Sequence, residues 1–346
     1  MNTWKKLHQH PNLWPRYFIR EKIIKAIRKF FDEAGFHEVE TPLLIAHPPA
    51  ESYLDVFQTT LFDRHRHAST AYLSTSPEIP LKKLMVAGLG NCYSLIKSFR
   101  NMETHSKLHN PEFTILEWYR IGADYKDIMK DCEALLLSIY ENIPRLNYQG
   151  EEIDVTAPWE RLTVAESFKK WADVDFDGFF DIKEARRIAK KKGYQVHAKN
   201  TWEELFDQIF LNEIEPCLGR GKPTILYEFP AVMGALAKKK SSDSRFAERF
   251  EFYIAGLELG DCYSELTDWK EQEERFKKEL VEVKRLGKTV YDYDHDFIEA
   301  LKVGLPKCSG IAVGVDRLAM LFADTDDIAD TLFFPGKEEF RLSDSR

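Results

Sequence analysis

Arg100, Phe113, Glu117 and Tyr119 lie within one stretch, CYSLIKSFRNMETHSKLHNPEFTILEWYR, from Cys92 to Arg120. Together they offer a guanidinium, a flat ring, a carboxylate and a phenol. Residues 92–101 and 111–120 both alternate, with polar residues crowded between them, which predicts two strands joined by a loop. On the second strand Phe113, Ile115, Glu117 and Tyr119 share one face, and Thr114, Leu116 and Trp118 share the other. A face that mixes an acid and a phenol with Phe is not a core face. It suits a ligand with anionic phosphates, an aromatic base and a cationic end. Taken alone, the stretch also fits an ordinary amphipathic hairpin with one solvated face.

Three further segments carry residues of the same kind. RFEFYIAGLELGDCYSEL, Arg249 to Leu266, reads as a hairpin turning at Ala255-Gly256. A two-residue turn sets Tyr253 opposite Glu258 and Glu251 diagonal to it, roughly 7–8 Å away at Cα. Two carboxylates so spaced can share Mg²⁺ with phosphate oxygens. Strict alternation puts Glu258 on the face opposite Asp261, Tyr263 and Glu265, so one site needs a break in register, expected at Gly260. STSPE, residues 74–78, opens a helix at Ser76 or Pro77. Glu78 then sits in the first turn, where the helix dipole alone would explain a carboxylate. CSGIAVGVDRLAMLF, Cys308 to Phe322, is strand, glycine turn and helix. Gly314 permits close approach of a ligand, whereas Arg317 in the first turn opposes the dipole and is thereby marked for function. Glu78, Glu117 and Glu265, with Asp261 nearby, are too much negative charge to desolvate without cations. A carboxylic acid carrying two ammonium groups answers that need.

The elements that must hold these groups read coarsely. Trp14 to Gly35 is a long helix with Phe18, Ile19, Ile23, Ile24, Ile27, Phe30 and Phe31 in one stripe and Gly35 as its stop. Residues 36–40 follow as a strand ended by Pro42. Residues 43–70 read as loops around a strand near 54–59, and residues 79–87 and 125–141 as helices. A connection with a short strand covers 142–165, a mostly helical segment 166–220, and a strand 224–229. Helices return near 269–287 and 296–303. The 190–192 and 238–240 lysine runs read as solvated faces, the second being the better contact candidate.

The chain has 346 residues, a net charge of −8 and five cysteines. The acidic balance argues against a broad polyanion-binding surface. The odd cysteine count without paired spacing fits a reducing compartment. No apolar run resembles a signal peptide or approaches the ~20 residues of a membrane span. A soluble cytoplasmic protein is expected.

FRNMETHSKLHNPEFTILEWYR and GIAVGVDRLAML resemble motifs 2 and 3 of the class II aminoacyl-tRNA synthetases, in the lysine-type subgroup, and residues 14–42 resemble motif 1, the dimer motif. STSPE, YEFPA, DSRFAERFEFY and EALKVGLPKCSGIAVGVDR are more similar still to the truncated bacterial branch that attaches (R)-β-lysine to elongation factor P. The likeness runs from residue 14 to 335 and includes no counterpart of an anticodon-binding domain. It implies an α+β fold in one catalytic domain, 1–346, with a mostly antiparallel sheet flanked by helices, motif 2 at about 92–120, motif 3 at about 308–323 and a more helical insert at about 142–220. It implies a homodimer that uses ATP and Mg²⁺, with elongation factor P as acceptor rather than tRNA. Arg100 and Arg317 would be catalytic, on the α-phosphate and carboxylate and on the adenine and phosphates. Phe113 would stack on the adenine, with Asn101, His109, Asn110, Glu258, Leu259 and Gly314 also at the nucleotide. The family's adenine-reading Glu has two candidates, Met102 by position and Glu103 through a loop one residue longer. Glu251 and Glu258 would hold Mg²⁺. Ser76 and Glu78 would receive the amino group near the carboxylate, Glu117, Tyr119 and Glu265 the distal ammonium, and Pro77, Asp261 and Tyr263 would also contact the amino acid. Position 260, usually Ala in the elongation factor branch, is Gly here, and Asp261 replaces the usual Asn, which leaves α-lysine and β-lysine both open. An enzyme charging a different acceptor and an inactive scaffold are the other readings.

Overall fold

The computed structural model describes residues 2–103, 106–141 and 143–340. Its strands are β1 (His37–Glu38), β2 (Leu44–Ile45), β3 (Gln58–Phe62), β4 (Ala68–Leu73), β5 (Cys92–Phe99), β6 (Glu112–Ile121), β7 (Arg145–Tyr148), β8 (Glu151–Asp154), β9 (Glu160–Thr163), β10 (Thr224–Tyr227), β11 (Arg249–Ile254), β12 (Leu257–Ser264) and β13 (Cys308–Gly314). Eight form the main sheet in the order β1-β5-β6-β13-β12-β11-β10-β9. Only its two edge pairings, β1 with β5 and β9 with β10, are parallel. This is the expected mostly antiparallel sheet.

One face of the sheet is core. Leu116 and Trp118 of β6 bury with Ile23, Ile27 and Phe31 of helix α2 (Trp14–Glu33), which follows the short helix α1 (Thr3–Gln9). The alternation on β6 thus resolves into a dry face and a cavity face. Helix α2 stops as expected: Gly35 takes φ +73 and Phe36 N–H closes back on the Phe31 carbonyl. The strand after it is only two residues long. Helix α3 (Glu78–Val86) begins at the STSPE segment. Asp124 caps helix α4 (Tyr125–Ile139) with a reciprocal capping box.

Residues 43–70, expected as loops around a strand near 54–59, form with the short strand leading to Ser74 a three-stranded sheet, β2-β4-β3. Strands β3 and the outer half of β4 are exposed, so they lack the buried alternation that marks a strand in sequence. The helical segment holds α5 (Val164–Ala172), α6 (Phe176–Phe179), α7 (Ile182–Lys191) and α8 (Trp202–Ile209), packed around Phe168, Phe179 and Phe206 in a core of their own. Helices α9 (Trp269–Arg285), α10 (His295–Gly304), α11 (Val315–Phe322) and α12 (Gly336–Glu339) complete the described chain. Lys238, Lys239 and Lys240 pair with Glu248, Glu271 and Glu228, so this run is spent on internal ion pairs rather than left for a contact. Among the described residues no helix is long and apolar enough to cross a membrane.

Candidate active site

The cavity, about 390 Å³, lies on the open face of the central strands. Phe113, Ile115, Glu117 and Tyr119 of β6 all line it, as their shared face required. Beside them β13 sets small residues, Gly310, Ala312 and Gly314, opposite Tyr119, Glu117 and Ile115. Small residues make a floor. A Cβ on Gly310 would come within 2.3 Å of the Tyr119 ring, so glycine is required for that ring to lie across the strand. Register fixes the order across the sheet: Glu117 pairs with Ala312, Ala312 with Asp261, and Asp261 with Glu251.

Strands β11 and β12 turn at Ala255 and Gly256, both at positive φ. Tyr253 pairs with Glu258, then Phe252 with Gly260, which leaves Leu259 as the extra residue. The register break is therefore present, one residue before Gly260, and it lets Glu258, Leu259, Asp261, Tyr263 and Glu265 line one cavity. Gly260 is there for space. A Cβ would meet Phe252 Cε1 at 2.6 Å and the Ala312 carbonyl at 2.9 Å.

The end near Phe113 gathers guanidinium groups. Arg100 lies 5.1 Å from the centre of the Phe113 ring, and its buried Nε has no partner among the described residues. Arg317 donates to the Glu258 carbonyl at 2.7 Å and pairs with His109 Nε2 at 2.8 Å. Burial and the two arginines push His109 down to about 4, so the ring is neutral and can accept. These bonds compensate the poor position of Arg317 in the first turn of α11. Asp316, beside it, accepts from Thr114 N–H at 2.8 Å and pairs with Arg20 of α2.

Four expected nucleotide or substrate contacts are placed differently. Met102 adopts φ +64 and is 75% exposed, so its side chain leaves the cavity, whereas Glu103 lines it. Asn101 and Pro77 do not line it either: Asn101 N–H holds the Asp55 carbonyl, and Pro77 caps α3. Asn110 lines the wall, but its Nδ2 donates to the Glu112 carbonyl and its Oδ1 accepts from Gly336 N–H. Its amide is spent on holding the motif 2 loop.

The end near Tyr119 gathers acids, together with a cation the acid count left out. Lys82, on α3 and 2% exposed, pairs with Glu78 and with Glu265 at 2.5 Å. Burial opposes its charge, yet Glu265 and Glu78 raise its pKa. The four-residue spacing of Glu78 and Lys82 was the available signal. A second internal cation, Arg249, bonds Asp261 at 2.9 Å and 3.0 Å and Glu251 at 2.7 Å. The acid cluster is thus partly neutralised from within, and the demand on a substrate is smaller than the count of acids implied. Glu117 is the exception. It is 3% exposed and accepts from Tyr119 Oη at 2.5 Å, while its Oε2 has no partner among the described residues. Burial, then Glu78, pushes its pKa well up. An ammonium group placed there would relieve that cost.

Glu251 and Glu258 both line the cavity and suit a hard divalent cation in chemistry, although Glu251 here accepts from Arg249 and Tyr253. Burial first, with Glu258 adding and Arg249 subtracting, pushes Glu251 up to about 8, a cost to its charged form that a cation would offset. Among the described residues no group of three or more His, Cys, Asp or Glu could hold a metal, so a ligand's oxygens must complete such a site. Cys262 faces the core, 3.7 Å from Ser309 Oγ, and burial keeps its thiol protonated. It is not a nucleophile of this cavity.

A mostly antiparallel sheet with an arginine-flanked cavity, a motif 2 hairpin and a glycine-floored motif 3 strand defines a class II synthetase-like ligase. The chain belongs to the family of class II tRNA synthetases (D, K and N), whose model matches residues 4–338. It is 37% identical over 318 residues to an elongation factor P–(R)-β-lysine ligase of Avibacterium paragallinarum, covering 91% of this chain and 93% of that protein. It is 35% identical over 331 residues to a lysine–tRNA ligase of Carboxydothermus hydrogenoformans and 36% to one of Moorella thermoacetica, in each case over 94% of this chain and 66% of the relative. The chain thus spans about two thirds of the length of those tRNA ligases.

Proposed function

We propose that this protein uses ATP to activate a diamino acid, lysine or β-lysine, as an aminoacyl adenylate and then transfers the aminoacyl group to a lysine side chain of elongation factor P. The observation that carries the first half is the single cavity with Arg100, Phe113 and Arg317 toward one end and Glu117, with an unpartnered oxygen, toward the other. The substrate carboxylate attacks the α-phosphorus, and the bond to pyrophosphate breaks. Arg100 neutralises the carboxylate and the α-phosphate as they approach, and Phe113 and Arg317 hold the base and the remaining phosphates. Glu251 and Glu258 would hold Mg²⁺, which supplies charge neutralisation on the phosphate oxygens. In the second step an amine attacks the acyl carbon, gives up a proton, and AMP leaves. Glu117 and Tyr119 receive the distal ammonium.

Elongation factor P as acceptor is supported by the likeness of STSPE, YEFPA and the motif 3 segment to that branch, and by the relative from Avibacterium. A tRNA acceptor is the second reading, favoured by Gly260 and by the equally similar lysine–tRNA ligases. Half-exposed Trp14 and Phe18, stacked at 5.5 Å on α2, support the homodimer, which sedimentation can test. Pyrophosphate exchange driven by lysine and both β-lysine enantiomers tests activation, and absence of exchange with all three refutes it. Purified elongation factor P and total tRNA offered together then test the acceptor. Label on tRNA alone would overturn the first choice.

A further inference from the structure

The loop at 48–55, between β2 and β3, places three residues in the cavity wall that no motif marks, Glu51, Tyr53 and Leu54. The loop is strapped down on both sides. Ser52 N–H donates to Glu279 at 2.8 Å, Tyr291 Oη to the Pro49 carbonyl at 3.0 Å, and Lys288 pairs with Asp55 at 3.0 Å. On the other side Asn101 N–H holds the Asp55 carbonyl at 2.8 Å, so the loop is tied to the residue following Arg100. Tyr53 Oη donates to Glu51 Oε1 at 2.9 Å, and Oε2 of Glu51 accepts from no described residue.

We propose that Glu51, oriented by Tyr53, receives the ammonium group nearer the substrate carboxylate, a role the motifs would give to Glu78. This rests on the reading of Arg100 as the carboxylate anchor. An amine one or two carbons from that carboxylate must lie within a few ångströms of Arg100. Three acids flank that place. Glu78 is engaged by Lys82, and Glu103, though drawn by Arg100, is drawn by Arg317 as well and repelled by Glu258 at the nucleotide end. Glu51 remains, lining the same cavity and close enough to Arg100 and Glu78 for both to act on its charge. Its carboxyl is pushed up to about 7 by burial and by Glu78, against the pull of Arg100, as expected for an acid still lacking its cation.

The test compares ligands that differ only in the near amine. Binding of lysine, β-lysine and 6-aminohexanoate, which lacks that amine, is measured calorimetrically with a non-hydrolysable ATP analogue on wild type, Glu51→Gln, Glu51→Asp and Tyr53→Phe. Glu51→Gln is expected to weaken the preferred diamino acid about 10- to 100-fold, the range of a charge-assisted hydrogen bond. It should leave 6-aminohexanoate within about twofold, a change too small to signify a lost contact. Glu51→Asp should restore part of the loss, and Tyr53→Phe should show a smaller one. Equal loss for all three ligands, or none for the diamino acid, overturns the assignment. Failure of wild type to bind or exchange any diamino acid would instead refute the activation itself.

Discussion

The two ends of the cavity are built to different standards. At the Tyr119 end the charges are buried and already paired, Lys82 with Glu78 and Glu265 and Arg249 with Asp261 and Glu251. At the Phe113 end Arg100 keeps a donor without a partner among the described residues, Glu258 is partly exposed, and the Arg317–Glu258 side-chain pair is loose at 3.6 Å. Buried ion pairs cost much to desolvate and more to break, so the acid end is a fixed frame with a vacancy at Glu117 among the described residues. The arginine end is open to solvent and gains most from a polyanionic ligand. Amino-acid selection therefore rests on the rigid end and nucleotide binding on the adaptable one.

Replacing Lys82 tests the frame and carries the largest expected effect. Lys82→Met leaves Glu78 and Glu265 buried without a cation, and denaturant unfolding should show a loss of about 3–5 kcal/mol. Arg100→Ala tests the open end. The fold should survive, and pyrophosphate exchange should fall about 10²- to 10³-fold, with most of the loss in kcat. Glu117→Gln should raise KM for the diamino acid about 10- to 100-fold while KM for ATP stays put, which separates the two ends within one assay.

A pH series sharpens the comparison without mutation. Burial pushes Glu251 and Glu265 up to about 8, against an ordinary 4.5, and the pairing with Arg249 and Lys82 offsets only part of it. Between these values the folded chain binds more protons than the unfolded one, so ligand-free stability should fall as pH rises from about 6.5 to 8. His109, lowered from 6.5 to about 4, acts in the opposite sense only below that window. Urea midpoints should show the decline, and bound diamino acid should flatten it. The smallest effect is expected at Met102→Ala, where the exposed side chain predicts exchange rates within about twofold of wild type.

Much of the site was legible in the chain. Period-two alternation put Phe113, Glu117 and Tyr119 on one face, and the Ala255-Gly256 turn set the pairing of Tyr253 with Glu258. The exposed sheet of residues 44–73 was not legible, because a strand without a buried face leaves no periodic trace. Nor was the fate of Met102 and Asn110, which is set by one left-handed residue and by hydrogen bonds to Glu112 and Gly336.

Sequence by itself determined which side chains share a strand face, where the chain turns, and that acids and guanidinium groups are concentrated in the same few motifs. These are local consequences of backbone period and residue type. Only the tertiary structure decided which acids remain without a partner. Lys82 reaches Glu265 from 183 positions away in the chain, and the loop carrying Glu51 is held down by α9 and the segment after it. Charge compensation in a buried site depends on distances through space, and no spacing along a chain contains them.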